Sequence, residues 1–145
     1  MRDERDKQRK TDAGQLKVLM VLHYVFAGLS TLGLGFLYLH HRLMDLMMNT
    51  PEMWEQSDQG PPPEEFFALF QYFYLFMGVM IVVFAAANAL SARFIQTRRH
   101  RIYSLIVAGL NCVLFPFGTA LGVFSFIVLL RDSVEENYRL SSAEN

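Results

Sequence analysis

Residues 102–130 read IYSLIVAGLNCVLFPFGTALGVFSFIVLL, with Arg101 and Arg131 at the two ends and Pro116-Phe117-Gly118 in the middle. A single spanning helix needs about 20 apolar residues. This run is too long for one straight span and too short for two comfortable ones. Two readings compete. In the first it is a helical hairpin, with arms at 102–115 and 118–130 and a turn at Pro116, Gly118 and Thr119. Proline removes a helix hydrogen bond and collides with the preceding turn, and Gly118 can take positive φ for a tight reversal. Arms of about 14 residues reach roughly 21 Å, short of a hydrocarbon core about 30 Å thick, so Arg101 and Arg131 would snorkel to the near face. In the second reading the run is one long helix, tilted and kinked at Pro116, which neighbouring groups can support in a membrane. The hairpin is the expectation carried forward, and it places both termini on one side.

Outward from this run the chain is blocked into apolar and charged segments. It has 145 residues, 52% of them hydrophobic, and a formal net charge of −1. The apolar residues come in long runs instead of amphipathic stripes, which separates a membrane chain from a soluble one. The charge balance gives no reason to expect nucleic acid. Cys112 is the one cysteine, so neither an internal disulfide nor a thiolate metal site can form within the chain.

Residues 1–15 form a charged leader, Arg2, Arg5, Lys7, Arg9 and Lys10 among Asp3, Glu4, Asp6 and Asp12, read as a solvated cytoplasmic tail. Residues 16–39 form a first full span. Its apolar core is longer than that of a signal peptide and has no convincing cleavage site. Gly28, Ser30, Gly33 and Gly35 in its second half suggest a face that packs on another helix. Residues 40–65 form an acidic loop in which Arg42 is the one basic residue, as expected of the outer side. Met44, Met47 and Met48 with neighbouring leucines suggest a short interfacial helix, and Gly60-Pro61-Pro62-Pro63 suggests a stiff break. Residues 66–90 form a second full span crowded with aromatics. Residues 91–101, with Arg93, Arg98, Arg99 and Arg101, form the densest basic loop and belong in the cytoplasm. Residues 131–145 form a second cytoplasmic tail, with Val134 and Tyr138 spaced for a short helical extension. The expected fold is therefore all-α and integral to the membrane: two full transmembrane helices plus a helical hairpin, four membrane helices in one domain over 16–130.

Three polar side chains stand out inside the apolar runs. His23 lies about seven residues into the first span, roughly 10 Å deep. An ionisable group at depth is a functional hypothesis, for proton relay or haem ligation, against the plainer reading of a neutral ring bonded to Tyr24, Asn111 or a backbone carbonyl. A two-histidine haem site needs a second histidine at matching depth. His40, His41 and His100 lie elsewhere, so no cofactor is expected. Asn88 and Asn111 suit interhelical hydrogen bonds or, in an oligomer, a polar lining; Asn88 is close enough to the basic loop to reach water instead. Gly118-x-x-x-Gly122 fits close packing, with Gly122 between the hairpin arms. His40 and His41 with Asp45 would make a poor metal site, and no metal is expected. Phosphate loops, HExxH and spaced Ser, His and Asp sets are absent from the sequence, so no catalytic residue is assigned and an enzyme is not expected.

The sequence resembles a widespread group of small bacterial inner-membrane proteins of uncharacterised function. The likeness rests on Leu22-His23-Tyr24-Val25 with Gly28, on Ala108-Gly109-Leu110-Asn111-Cys112, on Pro116-Phe117-Gly118-Thr119, and on Leu121-Gly122 and Val128-Leu129-Leu130, with a basic loop before the second block. It covers the membrane region and leaves out the tails. It implies four helices and an uncharged turn, and it implies no activity. The expected partners are the bilayer and either further copies of the chain or another membrane protein. The expected role is that of a structural or accessory component, with a homo-oligomeric channel or carrier as the alternative.

Overall fold

The computed structural model describes residues 2–50, 52, 54–55, 63–114 and 116–143. Gly60, Pro61 and Pro62 of the expected break, and Phe115 at the end of the expected third span, lie outside them. The described chain is helical, in the order α1 (Arg2–Met48), α2 (Glu64–Thr97), α3 (Arg101–Cys112), α4 (Phe117–Leu129) and α5 (Asp132–Ala143), and no strand occurs among the described residues. Helices α1 and α2 are each long and apolar enough to cross a membrane, and α4 with α5 would make a third such segment if their 74° bend is counted within one span.

Helix α1 is far longer than the expected span. Its 47 residues extend about 70 Å at 1.5 Å per residue. Nothing in the sequence stops it: no proline lies between positions 2 and 48, and each interior glycine costs only about 1 kcal/mol relative to alanine. The residues read as a leader and those read as an interfacial helix are therefore parts of one helix. It ends before Pro51, with the Asn49 amide donating to the Asp45 carbonyl at 3.0 Å. Helix α2 begins just after Pro63, whose carbonyl accepts from the Phe66 amide at 3.0 Å. It ends on a left-handed Arg98 with φ 51°. The Arg98 amide donates to the Ile95 carbonyl and the Arg99 amide to the Phe94 carbonyl, the paired bonds of a helix stop that usually uses glycine at this place.

The chain divides into two compact units, residues 1–27 with 86–145, and residues 28–85. Helices α1 and α2 contribute a segment to each.

In the first unit the run 102–130 is a hairpin, and the kinked single helix is excluded. Helices α3 and α4 pack against each other over their length and run antiparallel. Arg101 Nε donates to the Leu129 carbonyl at 2.7 Å at one end, and Thr119 Oγ1 donates to the Cys112 carbonyl at 2.8 Å at the other. The reversal does not use a left-handed Gly118, as the sequence suggested. Gly118 is inside α4, and what it supplies is room, since a Cβ there would lie 2.5 Å from the Asn111 carbonyl oxygen. Gly122 repeats the device one turn on, where a Cβ would run into the Ala108 carbonyl and the Cys112 sulfur. The other two glycines assigned to packing, Gly28 and Gly33, have open space around the Cβ position. Around the hairpin, Leu16, Leu19, Ile95, Leu121, Val128, Leu129, Val134 and Tyr138 form the apolar core.

The second unit pairs the later part of α1 with the earlier part of α2. Gly78 receives Leu37 at van der Waals distance, and Tyr74 meets His40 and His41. The outer faces are apolar and open: Phe36 is 71% exposed and Tyr72 72%. Only 6% of the most apolar window of α2 is buried within the chain.

Candidate functional site

Each helix of the first unit turns a short polar series inward. On α1, Asp12, Leu16, Leu19, His23 and Ala27 are all buried and fall on one stripe. Asn88, Ser91, Ala92 and Ile95 do the same on α2, and Ser104, Val107, Ala108 and Asn111 on α3. Ser125 adds a buried hydroxyl from α4, which it satisfies on its own helix by donating to the Leu121 carbonyl at 2.7 Å.

At the end where α4 passes into α5, these groups make a clasp. Asp12 is fully buried. Its carboxylate accepts from Arg131 Nη1 at 2.8 Å, from Ser133 Oγ at 2.6 Å and from Gln8 Nε2 at 3.1 Å. Arg131 Nη1 also donates to Gln15 Oε1 at 2.8 Å. A buried carboxylate persists when it is paired and its lone pairs are filled, and here three donors fill them. Beside it, Arg101 forms an ion pair of 2.7 Å with Glu135. Helix α5 is thereby held by two arginines, and Val134 and Tyr138 enter the core. Burial pushes the Tyr138 phenol up to about 12, against the lowering pull of Arg101 and Arg98. The sequence analysis missed this clasp, because Asp12 reads as one charge among many in a leader. The available clue was its position four residues before Leu16 on the stripe that continues through Leu19 and His23.

Further in, Asn88 and Asn111 exchange two hydrogen bonds: Asn88 Nδ2 donates to Asn111 Oδ1 at 3.1 Å, and Asn111 Nδ2 donates back to Asn88 Oδ1 at 2.8 Å. Both are fully buried, so Asn88 does not reach water. An amide without partners in an apolar surrounding costs several kcal/mol, and this reciprocal pair removes that cost from both helices at once.

His23 is fully buried and its Nδ1 lies 3.0 Å from the Leu19 carbonyl of its own helix. A carbonyl can only accept, so Nδ1 carries the proton and Nε2 presents a lone pair. That atom has no partner among the described residues, and neither have the buried hydroxyls of Ser91 and Ser104. Counting along helix rise from the Asp12–Arg131 contact puts His23 roughly 16 Å inward. By the same count from Arg101, Asn111 lies roughly 15 Å inward. Of His23, Asn88 and Asn111, the structure joins the two asparagines directly, while His23 bonds to its own helix. Of the residues assigned to the turn, Pro116 caps the start of α4 and Gly118 and Thr119 lie in its first turn.

Among the described residues no three His, Cys, Asp or Glu side chains gather where they could hold a metal ion. His40, His41 and Asp45 do not gather into such a group, although His41 and Asp45 line one cavity. His40 Nδ1 instead shares a 2.6 Å hydrogen bond with the Tyr74 hydroxyl, and His41 meets the edge of the Tyr74 ring at 4.9 Å.

Fold and site together define an all-helical protein with two or three candidate membrane spans, whose polar interior is arranged between helices. The chain matches no protein-family model, no curated protein and no solved structure.

Proposed function

We propose that this protein is a non-enzymatic polytopic component of a bacterial inner membrane, acting as a structural or accessory element by packing its helices against further copies of itself or a larger membrane complex. The observation that carries this reading is the reciprocal Asn88–Asn111 pair. Two buried amides that bond to each other join α2 to α3, the ordinary use of polar side chains between membrane helices. The wide apolar faces of α1 and α2 support it as well, since a chain in water rarely exposes contiguous apolar surface of this extent. The hairpin supports four membrane helices, and the basic stretch 91–101 against the acidic stretch 40–65 supports both termini in the cytoplasm. The likeness to small inner-membrane proteins points the same way.

Native mass spectrometry of the protein gently extracted from its own membrane tests the proposal. A stoichiometric second subunit, of the same or another chain, is expected. A bare monomer under conditions that preserve known complexes of that membrane would remove the accessory role. A second reading, an oligomeric channel or small-solute carrier, draws on one observation: the partnerless Nε2 of His23 and hydroxyls of Ser91 and Ser104. It predicts a closed homo-oligomer and solute flux in vesicles that changes in His23→Leu.

A further inference from the structure

The second unit contains a cavity of about 300 Å³ whose walls have a distinct chemistry. Phe67, Phe70 and Tyr74 of α2 supply aromatic carbon, Met48 of α1 supplies a polarizable thioether, and Asp45 supplies a carboxylate. His41 also reaches the wall, held edge-on against Tyr74. Among the described residues, Asp45 is the one carboxylate on that wall, and no lysine or arginine lines it. Near it in sequence, the described residues Glu52, Glu55 and Glu65 are acidic against Arg42, a charge balance that favours a cation over an anion.

We propose that this cavity binds an organic ammonium group, seated against the aromatic side chains with its charge toward Asp45. Aromatic faces attract a cation within about 6 Å of the ring centre, and the attraction grows as water is removed. Asp45 has acceptor capacity to spare. One oxygen takes a hydrogen bond from Asn49 Nδ2 at 2.9 Å. The other faces Arg42, at 3.6 Å, through a side chain that is 62% exposed, a loose surface pair that a better placed ammonium can displace. The volume corresponds to roughly ten non-hydrogen atoms at about 30 Å³ each, the size of a small aryl or alkyl ammonium or of a lipid headgroup. An anionic ligand is disfavoured by the same charges. The inference rests on the second unit alone and needs neither the packing reading nor the channel reading of the first.

The protein contains its own reporter. Trp54 is the sole tryptophan, and its indole N–H donates at 3.3 Å to the carbonyl of Met48, which lines the cavity. The full chain in detergent is titrated with benzyltrimethylammonium, following Trp54 emission and, in parallel, the heat of binding. Saturable binding is expected, weakened about tenfold in Asp45→Asn and severalfold in Phe70→Leu, and absent for the uncharged isostere neopentylbenzene. Asp45→Asn keeps an oxygen for Asn49 and changes an exposed residue, so folding is not at risk; unchanged melting temperature checks this. Repeating the titration in nanodiscs of phosphatidylglycerol alone and with added phosphatidylethanolamine separates the sources. Competition by phosphatidylethanolamine identifies a lipid headgroup as the ammonium, and equal affinity in both identifies a water-borne amine. No saturable binding up to about 10 mM, equal binding of the neutral isostere, or an Asp45→Asn variant that titrates like the parent would overturn the assignment.

Discussion

Replacing Asp12 with alanine is expected to destabilise the first unit by about 3 kcal/mol, and the geometry fixes that figure. The change removes one member of a buried ion pair and three accepted hydrogen bonds. Breaking a fully buried pair from one side costs about 3–5 kcal/mol, because the partner charge is left uncompensated. Arg131 is not wholly stranded, for its side chain is 31% exposed and it keeps Gln15 Oε1 as an acceptor. That moves the cost to the lower end of the range. The loss of the Ser133 and Gln8 bonds, each worth about 0.5–1.5 kcal/mol net and more to a charged acceptor, prevents it from falling further. The double variant Asp12→Leu with Arg131→Leu leaves no charge behind and should recover half or more of the loss, since apolar replacement of a buried pair is often neutral. Reversible unfolding of the parent, Asp12→Leu, Arg131→Leu and the double variant in mixed micelles measures the coupling, expected near 2 kcal/mol. Limited proteolysis should also release α5 in Asp12→Ala before the rest of the chain. A single variant within 0.5 kcal/mol of the parent, with α5 still protected, would refute the docking of the first turns of α1 against α5.

Three further outcomes follow from the same interior. Asn88→Leu should cost about 2–3 kcal/mol by orphaning the Asn111 amide, whereas Asn88→Leu with Asn111→Leu should cost clearly less; equal losses in unfolding titrations would count against the pairing. Gly122→Val should fail to accumulate as folded protein, because its Cβ meets the Ala108 carbonyl and backbone cannot yield as a side chain can, while Gly28→Val, in open space, should fold normally; comparison of detergent-extracted, monodisperse yield decides it. Tyr138 links stability to alkaline pH. Its phenol titrates near 10 when unfolded and at about 12 when folded, so the folded state holds its proton over that window and stability falls as pH rises through it, by up to roughly 2–3 kcal/mol; Tyr138→Phe should flatten the slope between pH 10 and 12, and an unchanged slope would show that the phenol is not buried.

Hydropathy made the helical class and the hairpin legible in the sequence, because both depend on strong local signals: long apolar runs, and a Pro-Phe-Gly step in the middle of one. The reason for Gly118 was not legible. Positive φ and close approach both call for glycine, and only the position of α3 across from it separates them. Helix ends were misjudged for a related reason. A charged stretch ahead of an apolar one looks like a tail when composition alone is weighed, yet no proline from 2 to 48 breaks the helix, and Asp12 falls on the inward stripe. The polar pairs were half legible. His23, Asn88 and Asn111 stand out by their depth, but which of them meet depends on helix register, which one chain does not encode in any local pattern.

The same interior explains why a chain so apolar should keep so many buried polar groups. In a membrane, apolar side chains gain little by leaving lipid for another helix, so apolar burial discriminates weakly between one helix pairing and another. A polar group discriminates strongly, because each wrong register leaves it unpaired at a cost of several kcal/mol. Asn88 pairs with Asn111 in one register of α2 on α3, and Asp12 finds both Arg131 and Ser133 in one placement of α1 against α5. Gly118 and Gly122 add a steric condition between α3 and α4. His23 is the group this logic leaves over: its Nδ1 is satisfied by its own helix in any register, so it fixes no neighbour, and its free Nε2 is the atom at which a bound water, a proton or a further partner would first register.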